Sequence, residues 1–259
     1  MSTSDTSNLV HGVIPNLAFL LEHNDNVASA YLCTANATQI SKTSEEGAHF
    51  CGYRNIQMLL AAQDHKSNGT NAETPTISDL QARIEEAWKA GYNSHGMTQT
   101  GGIRGTRKHI GTSEVEALLL SMRIPCTGSA FQGKNAWQQL LDYVHAYFCN
   151  PYTSSGATTE SQRVYLTQKL PIFLQRPGHS LTIVGSIKLR SGKRKLLTFD
   201  PAWQPPSPMR MPLNLNQHRA WKLKWLLKQY TKSERYFQRY SAFETLIIEH
   251  RIGDQSYTP

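Results

Sequence analysis

No stretch of this sequence approaches the ~18 consecutive apolar residues that a membrane-crossing helix needs. The opening residues, MSTSDTSN, hold neither a basic start nor an apolar core, so they do not read as a secretory signal. Cysteine is scarce: Cys33, Cys51, Cys126 and Cys149 are the four. None belongs to a C-x-x-C or C-x-x-H pair, so neither a metal site nor a cofactor is expected. Without an export signal, a reducing compartment is expected, cytoplasm or nucleus, with the thiols free. Internal repeats are absent, and nothing points to an oligomer, so a monomer is expected.

Acidic residues are outnumbered, 19 against 27 Lys and Arg, and the net charge is +8. The excess is local. Between Arg210 and Tyr240 stand Arg210, Arg219, Lys222, Lys224, Lys228, Lys232, Arg235 and Arg239 against Glu234 alone. A solvated basic face is the simpler reading; a nucleic-acid or acidic partner is the other.

Residues 1–8 and 253–259 read as disordered tails around one domain over 9–252. Asn16 to His23 reads as a short helix and Val27 to Cys33 as a strand. Ser78-x-x-Gln81 and Ser113-x-x-Glu116 are capping-box patterns, each opening an amphipathic helix. Between those helices, the glycine-rich, basic stretch Ser94 to Gly111 reads as a mobile loop over a cleft. Gly128 to Asn135 nearly matches a phosphate-binding loop. Asn135 stands where Ser or Thr should ligate magnesium, so nucleotide binding is rejected and Asn135 is read as a helix N-cap. Asn150 to Gln162 reads as a polar loop. Strands follow at Leu170–Gln175, Ser180–Leu189 and Lys195–Phe199, then a basic helix around Trp221 to Tyr230 and a strand at Phe243–Glu249. Helices first and an antiparallel sheet second make an α+β pattern.

The chain is organised around Cys51. Behind it, Ile56, Leu59 and Leu60 recur at helical spacing on one face. Cys51 therefore opens a helix, where free backbone N–H groups and the positive dipole end favour thiolate over thiol. Gly52 adds no side chain beside the sulfur, which would let a substrate backbone approach. The plainer alternative is a small buried cysteine at the start of a core helix.

A cysteine nucleophile needs a base, and the base needs an orienting acceptor. Of ten histidines, His179 follows Pro177-Gly178 and starts an apolar strand. The chain turns at Arg190 to Lys193 and returns through Phe199 to Asp200. Antiparallel return sets Asp200 beside His179.

These residues also carry a resemblance. Cys51-Gly52-Tyr53-Arg54-Asn55-Ile56-Gln57-Met58-Leu59-Leu60 resembles the nucleophile segment of the UFSP-like cysteine peptidases, most of all their zinc-finger ubiquitin peptidase branch. Ile84 to Gly91, Ile110 to Val115, Leu174 to Gly185 and Phe199-Asp200-Pro201 resemble further segments of that branch in the same order. The resemblance implies a papain-like fold and cleavage after the C-terminal Gly-Gly of ubiquitin, with ubiquitin and polyubiquitin chains as partners. It implies Cys51 as nucleophile, His179 as base and acid, Asp200 as orienter and Gln39 as an oxyanion donor. Gly178, Ser180 and Glu114 become the candidate substrate contacts, Glu114 by meeting arginines of ubiquitin. One departure is His49-Phe50, where the family usually has Trp-Gly. The zinc finger and accessory ubiquitin-binding helices of the animal members have no counterpart in this sequence.

Two other readings compete. A protease for the ubiquitin-fold modifier would place histidine two residues after the aspartate, whereas this chain reads Asp200-Pro201-Ala202. A non-catalytic binding module is the other, and the intact Cys/His/Asp set argues against it.

Overall fold

The computed structural model describes residues 8–47, 49–68, 74–149, 162–215 and 219–249, without the side chains of 65–68. The expected tails at 1–7 and 253–259 and the expected loop at 150–161 lie outside the described residues. Asn8, assigned to the tail, is instead buried, and its side-chain amide donates to the Ser41 carbonyl at 2.8 Å.

The chain opens with β1 (Leu9–Val10), α1 (Val13–Glu22), β2 (Val27–Leu32) and β3 (Gln39–Ile40), then enters α2 (Cys51–Asn68). Next come α3 (Ile77–Lys89), α4 (His95–Thr100), α5 (Thr112–Ser121), β4 (Cys126–Gln132) and α6 (Ala136–Phe148). The remainder holds β5 (Val164–Leu166), β6 (Ile172–Arg176), β7 (His179–Leu189), β8 (Arg194–Phe199), α7 (Ala220–Tyr230), β9 (Thr231–Ser233), α8 (Glu234–Phe237) and β10 (Ala242–Ile248). The α+β class holds.

The sheet departs from the expected all-antiparallel form in one pair: β2 runs parallel to β5. Nor is it confined to the second half of the chain, since β2 and β4 come from the first. β4 holds the first part of the near-match to a phosphate loop, Gly128 to Gln132, and Asn135 at its end stands at the N-cap of α6. Gly128, Ser129 and Ala130 pack poorly in a sheet on their own, but β10 pairs with β4 from Gln132 to Cys126 and imposes the strand.

β7 is the spine. Its first half pairs with β6, its second half with β2, and β8 runs along its other edge. The change of partner falls at Gly185. A Cβ there would stand 2.5 Å from the Tyr31 carbonyl oxygen, so only glycine lets β2 come this close.

α2 packs on β7 and β6. Its expected single apolar face is too narrow a description: of residues 51–60, only Arg54 is not buried. A helix buried all round is a core element. Ile56 and Leu59 are fully buried, each contributing roughly 1.5–3 kcal/mol by leaving water.

Both capping boxes are displaced from their expected places. α3 is capped by Thr76, whose hydroxyl accepts from the Asp79 N–H at 3.1 Å while Asp79 accepts from the Thr76 N–H at 3.0 Å. α5 starts after Gly111, and Glu114 reaches back to the Gly111 N–H at 2.8 Å. Gly111 has no side chain, so only this return half of a box exists. Each N-cap therefore lies two residues before the expected serine, at Thr76 with Asp79 and at Gly111 with Glu114.

The glycine-rich stretch is not the mobile loop expected from its composition. It contains α4, and its turns are pinned to α3. Glu85 accepts from the N–H groups of Ile103 and Arg104 at 2.7 and 2.9 Å, and Gln81 bonds Gly105 and Thr106.

Candidate active site

Cys51 is the first residue of α2, and its side chain is almost wholly buried. The approach to it is clamped. Glu46 accepts from the Thr43 N–H at 3.2 Å and pairs through both oxygens with Arg54, one turn into α2. Arg54 also donates to Gln57 at 3.0 Å, which in turn donates to the Pro75 carbonyl at 2.7 Å. The backbone around the sulfur is therefore tied to the helix it opens.

Gly52 does not serve substrate approach as its composition suggests. A Cβ at Gly52 would lie 2.6 Å from Ile110 Cγ1 and 3.0 Å from the Ile110 carbonyl oxygen. The missing side chain makes room for the end of the glycine-rich stretch. The same stretch reaches the residues before the nucleophile. His109 faces His49 with ring centroids 5.2 Å apart, and Arg107 donates to the Glu45 carbonyl at 3.3 Å. The sequence departure at His49-Phe50 thus faces His109 on one side, while Phe50 meets Tyr53 edge-on.

His179 and Asp200 lie where the hairpin argument puts them. His179 Nε2 is 2.9 Å from Asp200 Oδ1. The carboxylate can only accept, so Nε2 carries the proton and Nδ1 is left for the sulfur. Asp200 Oδ1 also accepts from the Ala202 N–H at 3.0 Å, and Lys232 Nζ lies 3.6 Å from Oδ2.

Charge follows geometry. Burial alone would push the Cys51 thiol up, but hydrogen bonds from His179 and from the Ser180 hydroxyl and N–H outweigh it and bring the thiol down to about 6. Burial likewise disfavours charged His179, yet Asp200 and the Cys51 sulfur raise it to about 9. Burial opposes the Asp200 carboxylate, and His179, the Ala202 N–H and Lys232 hold it at about 2. At neutral pH the group is a thiolate beside an imidazolium, oriented by a carboxylate. Such a set can attack an acyl carbon and return a proton to the leaving group.

Ser180, expected to touch substrate, is buried against α2, beside the sulfur. Its oxygen accepts from Asn55 Nδ2 at 2.9 Å, which leaves its own proton for Cys51. Gly178 is exposed in the turn between β6 and β7, with open space around it. Gln39 is fully buried on β3, which packs against α2. Its amide donates to the Trp203 carbonyl at 3.4 Å, and its Oε1 has no hydrogen-bond partner among the described residues. Glu114 is part-buried and committed through one oxygen to the Gly111 N–H.

Two residues of the site were missed from sequence. Asn55 stands four residues after Cys51, on the same face of the helix, and that spacing was a usable signal. Lys232 was counted within the basic segment, and nothing local marks it as the partner of Asp200.

A sulfur nucleophile at a helix N-terminus, with its base and orienter on one hairpin of the facing sheet, is the arrangement of a papain-like cysteine peptidase. Residues 26–246 match the family model Peptidase family C78, and the chain belongs to that family of cysteine peptidases. Among curated proteins it is 36% identical over 158 residues to the zinc finger-containing ubiquitin peptidase 1 of Macaca fascicularis, and 35% identical over 156 residues to that of Homo sapiens. Each alignment covers 58% of this chain and 27% of the relative, so the chain spans about a quarter of those proteins. It is 28% identical over 160 residues to the ubiquitin carboxyl-terminal hydrolase mug105 of Schizosaccharomyces pombe, covering 58% of this chain and 59% of that one. The crystal structure of UfSP from C. elegans superposes with a TM-score of 0.54 at 13% identity, over 89% of this chain and 36% of that chain, and bears out the fold.

Proposed function

We propose that this protein is a deubiquitinating cysteine peptidase that hydrolyses the peptide or isopeptide bond after the C-terminal Gly-Gly of ubiquitin. The observation that carries the reading is the His179 Nε2 to Asp200 Oδ1 contact at 2.9 Å. The base is the histidine that starts β7, and Ala202 stands where a protease for the ubiquitin-fold modifier would have its own. The names of the similar curated proteins, a ubiquitin peptidase and a ubiquitin carboxyl-terminal hydrolase, support the same choice.

The reaction then has two halves, acylation and deacylation of Cys51. The Cys51 thiolate attacks the carbonyl carbon of the terminal glycine and forms a tetrahedral intermediate. The Cys51 N–H and one Gln39 amide N–H donate to the oxyanion. The His179 imidazolium gives its proton to the leaving amine, and a thioester remains on Cys51. His179, now neutral, takes a proton from water, the hydroxide attacks the thioester, the carboxylic acid leaves as Cys51 regains its thiolate form, and the acid gives its proton to solvent. Gly178 and Glu114 receive the tail, Gly178 through its exposed backbone and Glu114 through its uncommitted oxygen.

The test is reaction with two probes, ubiquitin and the ubiquitin-fold modifier, each carrying a thiol-reactive C-terminus. The ubiquitin probe should form an adduct that Cys51→Ala abolishes. Labelling by the other probe alone would overturn the reading.

A further inference from the structure

The far end of the β7–β8 hairpin carries a surface unrelated to the triad. Ten residue steps of β7 at ~3.3 Å separate His179 from Leu189, so this end lies about 33 Å from the base. Two recesses meet there, sharing Leu189 and Lys195. One, of about 420 Å³, is lined by Lys193, Arg194, Lys195 and Arg235; the other, of about 220 Å³, by Lys195, Lys224 and Lys228. Glu234 is the acid of the first recess, and its Oε1 accepts from the Arg194 N–H at 2.9 Å. Arg194 itself pairs with Asp142. Among the described residues, Lys195, Lys224 and Lys228 form no ion pair.

α7 borders the second recess. Leu226, Leu227 and Tyr230 seat it on the core. At ~100° per residue, Trp221 and Trp225 fall on the opposite side, within 40° of each other, with Lys228 and Lys224 next round the helix toward the recess. Both indoles are exposed, Trp221 by 66% and Trp225 by 43%. Large exposed aromatics on a helix already anchored by its other face mark a contact surface.

We infer that this face binds a single strand of nucleic acid, its phosphates in the lysine-lined recesses and its bases on Trp221 and Trp225. Lysines in a groove beside aromatic planes are what a sequence-tolerant single-strand site needs: the cations follow the backbone, and every base has a face to stack. An anionic bilayer fits less well, because the lysines line concave recesses rather than one convex plane. An acidic peptide would use the cations but give the paired indoles nothing to stack on.

The test is fluorescence anisotropy with a labelled oligothymidylate from low to moderate salt. The wild type should bind, with affinity falling steeply as salt rises. The triple variant Lys195→Gln, Lys224→Gln, Lys228→Gln should lose at least tenfold in affinity. Its log–log salt slope should flatten by about 2, at ~0.7 per lost phosphate contact. The double variant Trp221→Ala, Trp225→Ala should also lose about tenfold or more while keeping the wild-type slope. Trp221, Trp225, Lys224 and Lys228 are exposed and Lys195 is half-buried, so an unchanged thermal midpoint checks the fold. No oligonucleotide binding at low salt, or variants that bind as the wild type does, would overturn the inference. So would tryptophan-independent binding that polyglutamate competes away equally, or tryptophan-dependent binding to phosphatidylserine vesicles in place of the oligonucleotide.

Discussion

Asn55 donates its side-chain amide to the Ser180 hydroxyl at 2.9 Å, while its carbonyl oxygen accepts from Thr182 at 2.9 Å. One residue of the nucleophile's helix thereby holds the strand that carries the base. Ser180→Ala should remove a hydrogen bond to the sulfur and raise the thiol's pKa. It also strips a buried amide of its acceptor, at a cost of about 1–3 kcal/mol. Iodoacetamide alkylation against pH should show the midpoint moving upward, and thermal melting should show the lost stability.

The thiolate–imidazolium pair sets the pH profile. Activity as kcat/KM should rise through about 6 as Cys51 ionises and fall through about 9 as His179 loses its proton. Both limbs belong to the coupled pair. A profile with one limb only, rising through the ordinary thiol range, would contradict the pair.

Lys232 lies 3.6 Å from Asp200 Oδ2 and adds positive charge beside the histidine's acceptor. Lys232→Met should leave Asp200 more strongly committed to His179 and move the alkaline limb upward. The pair is partly solvated, so stability should change by no more than about 1 kcal/mol. An unmoved alkaline limb with lost stability would make Lys232 a scaffold residue only.

Gly52→Ala places a methyl 2.6 Å from Ile110 Cγ1. Overpacking of this kind costs about 1–3 kcal/mol. The thermal midpoint should fall, and Ile110→Ala in the same chain should restore part of it. Full stability of Gly52→Ala alone would show that the contact relaxes freely.

Glu114 separates two roles. Glu114→Gln keeps an oxygen for the Gly111 N–H but loses the charge that arginines of a ubiquitin tail would meet. If that charge serves substrate, kcat/KM on a ubiquitin substrate should fall at an unchanged thermal midpoint. Glu114→Lys should do worse by repulsion. Equal activity of Glu114→Gln would assign the residue to its helix.

Much of this was legible in sequence where one local rule decided the outcome. The run from Cys51 to Leu60 dictates a helix, and the turn at Arg190 to Lys193 dictates a hairpin that brings Asp200 to His179. What escaped was set by distant partners. β4 is a strand because β10 pairs with it, not because Gly128-Ser129-Ala130 favours one. Ser180 looks like a rim residue beside an exposed turn, yet α2 covers it. Gly52 looks like room for substrate, and Ile110, 58 positions later, fills that room. The basic segment likewise hid two fates, Lys232 against Asp200 and Lys224 with Lys228 around a recess.

The change of partner along β7 has a consequence in time. Val27–Leu32 must cross to residues more than 150 positions away before the second half of β7 has its neighbour. Loop closure over such a span is slow. α2 can coil early from its own sequence, but the sulfur has no base until β7 is seated and His179 arrives with it. Competence should therefore be the last property to return on refolding, appearing after helical signal has recovered, and a chain caught midway would carry an intact but idle thiol.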